Sequence, residues 1–231
     1  MQPKVTIAYQ ATPGTLLYTG YSKGFRSGDF NEPAKGINRI FEEEVSDSYE
    51  LGFKTSLFSN KVTLNGAIFT ITQDDAQFTQ FNVDTFTLEN LSIDEVETSG
   101  IELELAIKAT ENFDIKLSAG IVDSEITAFT SRSDLIGKSQ FWIPELNYGA
   151  TLNHYYELTS DWTMIFRAGL QVEGPKIFSI NIPDVESSTG TFVNAGIGLK
   201  SESLTIQVYV NNLIDERAIE DIFLFGDGVT D

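Results

Sequence analysis

The sequence predicts an all-β protein, an antiparallel up-and-down barrel of strands that crosses a membrane. Three observations predict it: apolar and polar residues alternate in many separate runs, the runs are long, and the connections alternate between short turns and long polar loops. Successive side chains of a strand point to opposite faces, so each run produces one apolar and one polar face. Residues 101–107 and 204–210 show the alternation most plainly.

Ten strands follow from this alternation. They cover residues 4–10, 15–26, 45–57, 61–73, 86–108 (with a bend or bulge near its middle), 112–127, 146–158, 161–178, 190–200 and 203–212. Strands of soluble proteins are usually about 5–6 residues long. A tilted strand needs about 9–11 residues to cross the hydrocarbon of a bilayer, and most of these runs are long enough.

The connections differ in length from one end of the strands to the other. Short turns are predicted at 11–14, 59–60, 110–111, 159–160 and 201–202, and long loops at about 27–44, 74–85, 128–145 and 179–189. Short turns at one end and long loops at the other are typical of outer-membrane barrels. A soluble sandwich shows the same alternation, but it has no reason to place every long loop on one side.

Composition excludes several classes of protein. The 231 residues contain 15 Lys and Arg against 34 Asp and Glu, a formal net charge of −19, which argues against a nucleic-acid partner. Cysteine is absent, so no disulfide or cysteine-based metal site is expected. No apolar run approaches the roughly 18 residues of a transmembrane helix. The residues after Met1 do not read as a signal peptide, and we expect the chain to begin inside a longer protein.

Five segments resemble TonB-dependent outer-membrane receptors and follow the order of that family. They are 18–31 (YTGYSKGFRSGDFN, with Asp29 in place of the second glycine), 48–54 (SYELGFK), 64–69 (LNGAIF), 98–104 (TSGIELE) and 210–216 (VNNLIDE, with Ile214 in place of phenylalanine). The resemblance covers nearly the whole chain. It implies a bacterial outer-membrane location and a barrel of about 22 strands with a plugged lumen.

The same resemblance implies an incomplete barrel. Residues 1–231 would supply about ten of the strands, numbers 12 to 21, and the plug, the first half of the barrel and the last strand would be absent. The function implied is energy-coupled import of a ferric siderophore or a similar scarce nutrient, with the TonB complex as partner through the absent plug and lipid as the surrounding solvent. A passive porin-like barrel and a soluble all-β binding module are the alternatives.

Two groups of residues are candidates for function. Aromatic residues in the long loops are candidate ligand contacts, because binding residues concentrate on loops of a rigid scaffold: Phe78, Phe81, Phe141 and Trp142. Charged residues on the polar faces of the strands are expected to line the lumen: Glu50, Lys54, Glu102, Glu104, Asp114, Lys116 and Arg167. No catalytic motif, metal-ligand cluster or cofactor motif is present, so no enzyme is expected and no cofactor or metal is predicted.

Overall fold

The computed structural model describes residues 2–33, 38–82, 86–179, 184–219 and 222. Twelve strands lie within these ranges. They are β1 (Lys4–Thr12), β2 (Thr15–Arg26), β3 (Asp29–Phe30), β4 (Ile40–Phe41), β5 (Glu44–Leu57), β6 (Val62–Asn82), β7 (Thr87–Thr110), β8 (Phe113–Ala128), β9 (Leu146–Glu157), β10 (Thr163–Glu173), β11 (Gly190–Lys200) and β12 (Thr205–Val210). A short 3-10 helix covers Ser133–Leu135.

Ten of these strands form one antiparallel sheet in the order β1-β2-β5-β6-β7-β8-β9-β10-β11-β12. Each strand therefore pairs with its neighbours along the chain, apart from β3 and β4, which form a separate two-stranded pair between β2 and β5. The predicted up-and-down architecture is confirmed. Within the described residues the sheet is open: β1 and β12 pair on one side only.

The predicted loop at 74–85 is wrong. β6 continues through it to Asn82 and pairs with β7 as far as the contact of Asn82 with Thr87, so the two strands are 21 and 24 residues long. The acidic pair Asp74 and Asp75 interrupts the apolar pattern, which is why the sequence reads as a loop there. The predicted bulge in β7 is confirmed, because the pairing with β8 shifts between Glu95 and Val96.

The strand predicted over 161–178 is too long at both ends, since β10 begins at Thr163 and ends at Glu173. Gly174 and Pro175 follow, and proline has no amide hydrogen to donate to a strand ladder. The loop predicted at 179–189 lies partly outside the described residues, and residues 225–231, whose sequence reads as a further loop, lie wholly outside them.

A buried apolar cluster lies at the end of the sheet that carries the long loops. It consists of Ala76, Ile93, Val96, Ile126, Phe129, Leu135, Phe141 and Ile177 and is called the loop-end core below. The cluster joins β6, β7 and β8 to the segments 129–141 and 174–178. It is built like the core of a small soluble domain, and it packs the long loops into one unit.

A kink in β6 makes this core possible. Asp75 has φ +52°, a left-handed conformation that Asp tolerates better than most residues. Strict alternation would place Ala76 on the same face as the exposed Asp74, yet Ala76 is 2% exposed. The kink turns the end of the β6–β7 hairpin, so that Ala76 and its partner Ile93 face the core.

Candidate functional site

The sheet has a polar face on which all seven predicted charged residues lie. Strand pairing aligns Lys54 with Asn65 and Asn65 with Glu104, and the Asn65 amide donates to the Glu104 carboxylate at 3.3 Å. A second row aligns Asp114 with Asn153 and Asn153 with Arg167. We use the name polar face for the surface that carries Glu50, Lys54, Glu102, Glu104, Asp114, Lys116 and Arg167.

Close packing between β2 and β5 on the polar face explains why the 48–54 motif contains a glycine. Tyr18 pairs with Gly52, and a Cβ atom at Gly52 would lie 2.5 Å from the Tyr18 ring. Only glycine leaves room for the ring to lie across the strand. The Lys54 ammonium then sits 5.8 Å from the centre of the same ring, within the range of a cation–π contact.

The opposite face is apolar and exposed. One row runs across seven strands through six large aliphatic residues and one threonine: Ile7, Thr19, Leu51, Ile68, Ile101, Ile121 and Leu146. The exposed fractions of Ile7 and Ile121 are 65% and 61%. We use the name apolar face for this surface. A soluble sheet would cover such a face with a second layer.

The apolar face ends abruptly on the side of the long loops. The next row contains Tyr21 and Tyr49, whose rings lie 5.0 Å apart. The row after it carries Asp47, Glu97 and Glu125. An apolar band edged by tyrosines and followed by charge is the pattern of a membrane barrel wall at a lipid–water interface.

The height of the band fits a bilayer. On β6 the band runs from Val62 to Thr70, which is nine residues, and a tilted membrane strand needs about 9–11. The remaining twelve residues of β6, 71–82, amount to roughly 40 Å of strand beyond the band, measured along the chain at about 3.3 Å per residue. The loop-end core therefore lies outside the hydrocarbon.

The four predicted loop aromatics are in different environments. Phe78 and Phe141 pack against each other with ring centroids 4.7 Å apart, and Phe141 is only 3% exposed as part of the loop-end core. Phe81 lies edge-on to Phe86 at 6.2 Å. Trp142 lies edge-on to Phe178 at 5.2 Å and keeps 42% of its surface exposed. Trp142 is thus the most accessible aromatic side chain of the four.

Trp142 also has an unusual backbone. Its φ is +69°, a conformation that costs a non-glycine residue free energy of order 1–3 kcal/mol. The Trp142 amide donates to the Ile177 carbonyl at 2.8 Å, which holds this conformation in place. Next to it, the Lys176 ammonium is paired with Glu173 at 2.7 Å and lies 5.9 Å from the centre of the Phe178 ring.

Two residues that hold the loops together were not predicted from the sequence. Asn31, 5% exposed, donates its side-chain amide to the carbonyls of Asn38 and Asn90 and accepts a hydrogen bond from the Asn90 amide. Gln77 donates its side-chain amide to the carbonyls of Ser27 and Glu42. Both residues fasten the segment between β2 and β5 onto the β6–β7 hairpin. Only their polar character was visible in the sequence.

Two carboxyl groups at the loop end have pKa values shifted in opposite directions. Arg132 donates two hydrogen bonds to Asp134, at 2.9 and 2.8 Å, which lowers the pKa of the Asp134 carboxyl below its ordinary value. At the kink, burial raises the pKa of the Asp75 carboxyl, and the nearby charges of Glu42 and Asp94 act in the same direction. The kink therefore disfavours the ionised form of Asp75.

Neither a metal centre nor a helical membrane span is found in the part of the chain that the structure describes. The single histidine, His154, belongs to the apolar face, where it lies between Phe113 and Phe166 at ring-centroid distances of 5.9 and 6.3 Å. Its surroundings are aromatic, which suits a wall residue rather than a metal ligand.

Comparisons with known proteins agree with this architecture. The family model described as TonB dependent receptor-like, beta-barrel matches residues 1–213. The pesticin receptor of Yersinia pestis is 27% identical over 220 residues, which cover 93% of this chain and 31% of the relative. The metal-pseudopaline receptor CntO of Pseudomonas aeruginosa is 25% identical, covering 94% and 30%.

Solved structures show the same fold. The ferric yersiniabactin uptake receptor FyuA from Yersinia pestis superposes with a TM-score of 0.79 at 23% identity, covering 96% of this chain and 33% of that one. The ferric preacinetobactin receptor BauA from Acinetobacter baumannii gives 0.72 at 18% identity, covering 94% and 32%. The chain spans about a third of the length of these relatives. It belongs to the TonB-dependent receptor family and forms part of the β-barrel of a bacterial outer-membrane protein.

Proposed function

We propose that this chain is part of an energy-coupled importer that carries a ferric siderophore or a similar scarce nutrient across the outer membrane. The observation that carries the proposal is the two-faced open sheet, which pairs an exposed apolar face with a charged polar face. In lipid each unpaired backbone group costs several kcal/mol, so the edges of β1 and β12, which are free among the described strands, would need further strands. About twelve more strands would complete a barrel of about 22.

The polar face is proposed to line the lumen. A barrel of about 22 strands encloses a plug, and charged wall residues such as Glu102, Asp114 and Lys116 would contact it or the water around it. The plug, the first half of the barrel and the last strand lie outside residues 1–231 in this proposal. The TonB complex would act through that plug.

Ligand binding is assigned to the loop end. Trp142, the most exposed of the four candidate aromatic residues, is the main proposed ligand contact. Phe81 is a second proposed contact and lies on the projecting β6–β7 hairpin. Phe78 and Phe141 support the site through the loop-end core. Support for a metal-bearing ligand comes from relatives, whose names include a metal-pseudopaline receptor and a ferric yersiniabactin uptake receptor.

Uptake in cells tests this function. The gene, with whatever coding sequence flanks residues 1–231, is expressed in an iron-starved strain that lacks its own siderophore receptors. Uptake of radiolabelled iron with a panel of siderophores should depend on the gene and on a functional TonB protein. Uptake that continues without TonB would indicate a passive porin. A chain that folds in water without detergent would support the soluble alternative.

A pair of variants assigns the ligand contact. Trp142→Ala should weaken binding of the transported siderophore about 30-fold, because truncation of an aromatic anchor that the ligand buries typically costs about 2 kcal/mol. Phe58→Ala is the matched control: Phe58 is 75% exposed but lies at a short turn on the opposite end of the sheet. Equal affinity of both variants would remove Trp142 from the site.

A further inference from the structure

We infer that Arg167 and the hollow around it form a docking site for an acidic side chain of the domain that fills the barrel lumen. The inference rests on the proposed function, which places such a domain against the polar face. It assigns to this part of the wall a single anionic partner, which would help to set the orientation of the enclosed domain.

The hollow lies on the polar face of β9 to β12. It has a volume of about 440 Å³ and is open because three glycines stand where side chains would otherwise fill it: Gly169, Gly196 and Gly198. Gly196 pairs directly with Arg167 on one side and with Tyr209 on the other. The arginine side chain therefore lies beside bare backbone.

Apart from Arg167, the residues that line the hollow are uncharged; Asp114 lies in the same row of the polar face but outside the hollow, beyond Asn153. Thr151, Asn194, Gln207 and Asn211 line the hollow with hydroxyl and amide groups. Asn153 accepts the Arg167 Nε–H at 2.8 Å, and within the described residues this is the one hydrogen bond of the guanidinium group. The guanidinium is thus oriented by Asn153, and its terminal N–H groups remain available to an incoming acceptor.

The chemistry favours a carboxylate. A guanidinium presents a planar fork that matches a carboxylate with two parallel hydrogen bonds. The amides of Asn194, Gln207 and Asn211 can donate to the same oxygens. The hollow differs in charge from the region around Glu50, Glu102 and Glu104 on β5 and β7, which attracts cations instead. The hollow therefore favours an acidic side chain, whereas the region of the three glutamates does not.

The test uses the intact receptor in planar bilayers. The wild type should be closed, because its lumen is filled. Arg167→Glu should raise the open fraction in dilute urea about 30-fold or more, since loss of one partner of a buried charge pair costs about 2–5 kcal/mol. Arg167→Lys keeps the charge but loses the planar fork, so its open fraction should lie between those of the wild type and Arg167→Glu.

Two controls separate docking from general damage. Lys200→Glu makes the same charge change on the polar face at the turn end of β11 and should leave the channel closed. Gly169→Ala adds a methyl group that meets the Asn194 Cβ at 3.8 Å, an ordinary contact, whereas Gly169→Leu fills the hollow and should open the channel like Arg167→Glu. Heat-modifiable mobility on gels confirms that each barrel is folded.

Suppressor selection identifies the partner. Revertants of Arg167→Glu that restore closure should replace an acidic residue of the enclosed domain with a neutral or basic one. An Arg167→Glu channel that stays closed overturns the docking site. If siderophore uptake also falls in that closed variant, the hollow serves the passing ligand instead. A wild-type receptor that conducts freely overturns the proposed function as well.

Discussion

Ile126→Ala should loosen the loop-end core while leaving the membrane strands intact. Ile126 is fully buried, with 0% of its surface exposed, and it packs in the cluster that includes Phe129, Leu135 and Phe141. The substitution removes three carbon atoms, worth about 0.8 kcal/mol each by transfer. Cavity formation adds to this, and measured costs for such changes are about 2–5 kcal/mol. We expect about 3 kcal/mol here, which lies within that range and somewhat above the transfer contribution alone.

Hydrogen exchange of the intact receptor in detergent measures this cost locally. A loss of about 3 kcal/mol raises the population of the open state about 150-fold, so amides of residues 129–141 should exchange that much faster. Amides of residues 113–121 on the same strand should not change. Ile126→Val is the graded control, with an expected cost of about 0.5–1.5 kcal/mol.

Ile121→Ala provides the positional control, because Ile121 lies five residues away on the apolar face and is 61% exposed. It should leave exchange at 129–141 unaltered. Two results would contradict this expectation. Either residues 129–141 keep their protection from exchange in Ile126→Ala, or the membrane strands lose protection together with them. The first result would mean that the core does not hold the loops, and the second that the loop unit and the barrel wall unfold together.

Three further predictions concern other parts of the sheet. Leu103→Arg, on the apolar face, should cost about 2–4 kcal/mol and lower the yield of folded protein in lipid vesicles; an unchanged yield would contradict lipid contact. Asn31→Ala leaves the half-buried amide and carbonyl of Asn90 without this partner, at about 1 kcal/mol or more, and should expose residues 27–33 and 38–43 to limited proteolysis. Burial raises the pKa of Asp75, so its protonated form stabilises the kink. That stabilisation is complete below the unfolded pKa of about 3.9 and is lost as pH rises through the higher folded pKa. The measurement is amide hydrogen exchange of the β6–β7 hairpin as a function of pH, corrected for the intrinsic pH dependence of exchange. Asp75→Asn should abolish the pH dependence that remains after this correction.

The membrane-spanning part of the fold could be predicted because its signal is local. Alternation alone places Ile101 and Glu102 on opposite faces, and neighbouring strands repeat the pattern in register. The seven charged residues were assigned to one polar face in this way, and all seven lie there.

The loop end could not be predicted because its structure depends on distant contacts. A single left-handed residue, Asp75, reverses the faces of the β6–β7 hairpin, and nothing in the local pattern specifies that conformation. The contact of Phe78 with Phe141 joins two loops that were treated separately, so the burial of Phe141 was not visible. Asn31 binds Asn90 across 59 residues.

The most direct test of the account is the accessibility of single spin labels along β7 in lipid bilayers. Residues 1–231 contain no cysteine, so a cysteine introduced at each position from Ser99 to Leu105 of the intact receptor has no background from this part of the barrel. If the apolar face meets lipid, accessibility follows a period of two: labels at 101, 103 and 105 should collide with oxygen dissolved in the lipid, and labels at 102 and 104 should not. Equal accessibility of all positions to oxygen, or a period of two with the opposite phase, would contradict the assignment of the apolar face to lipid.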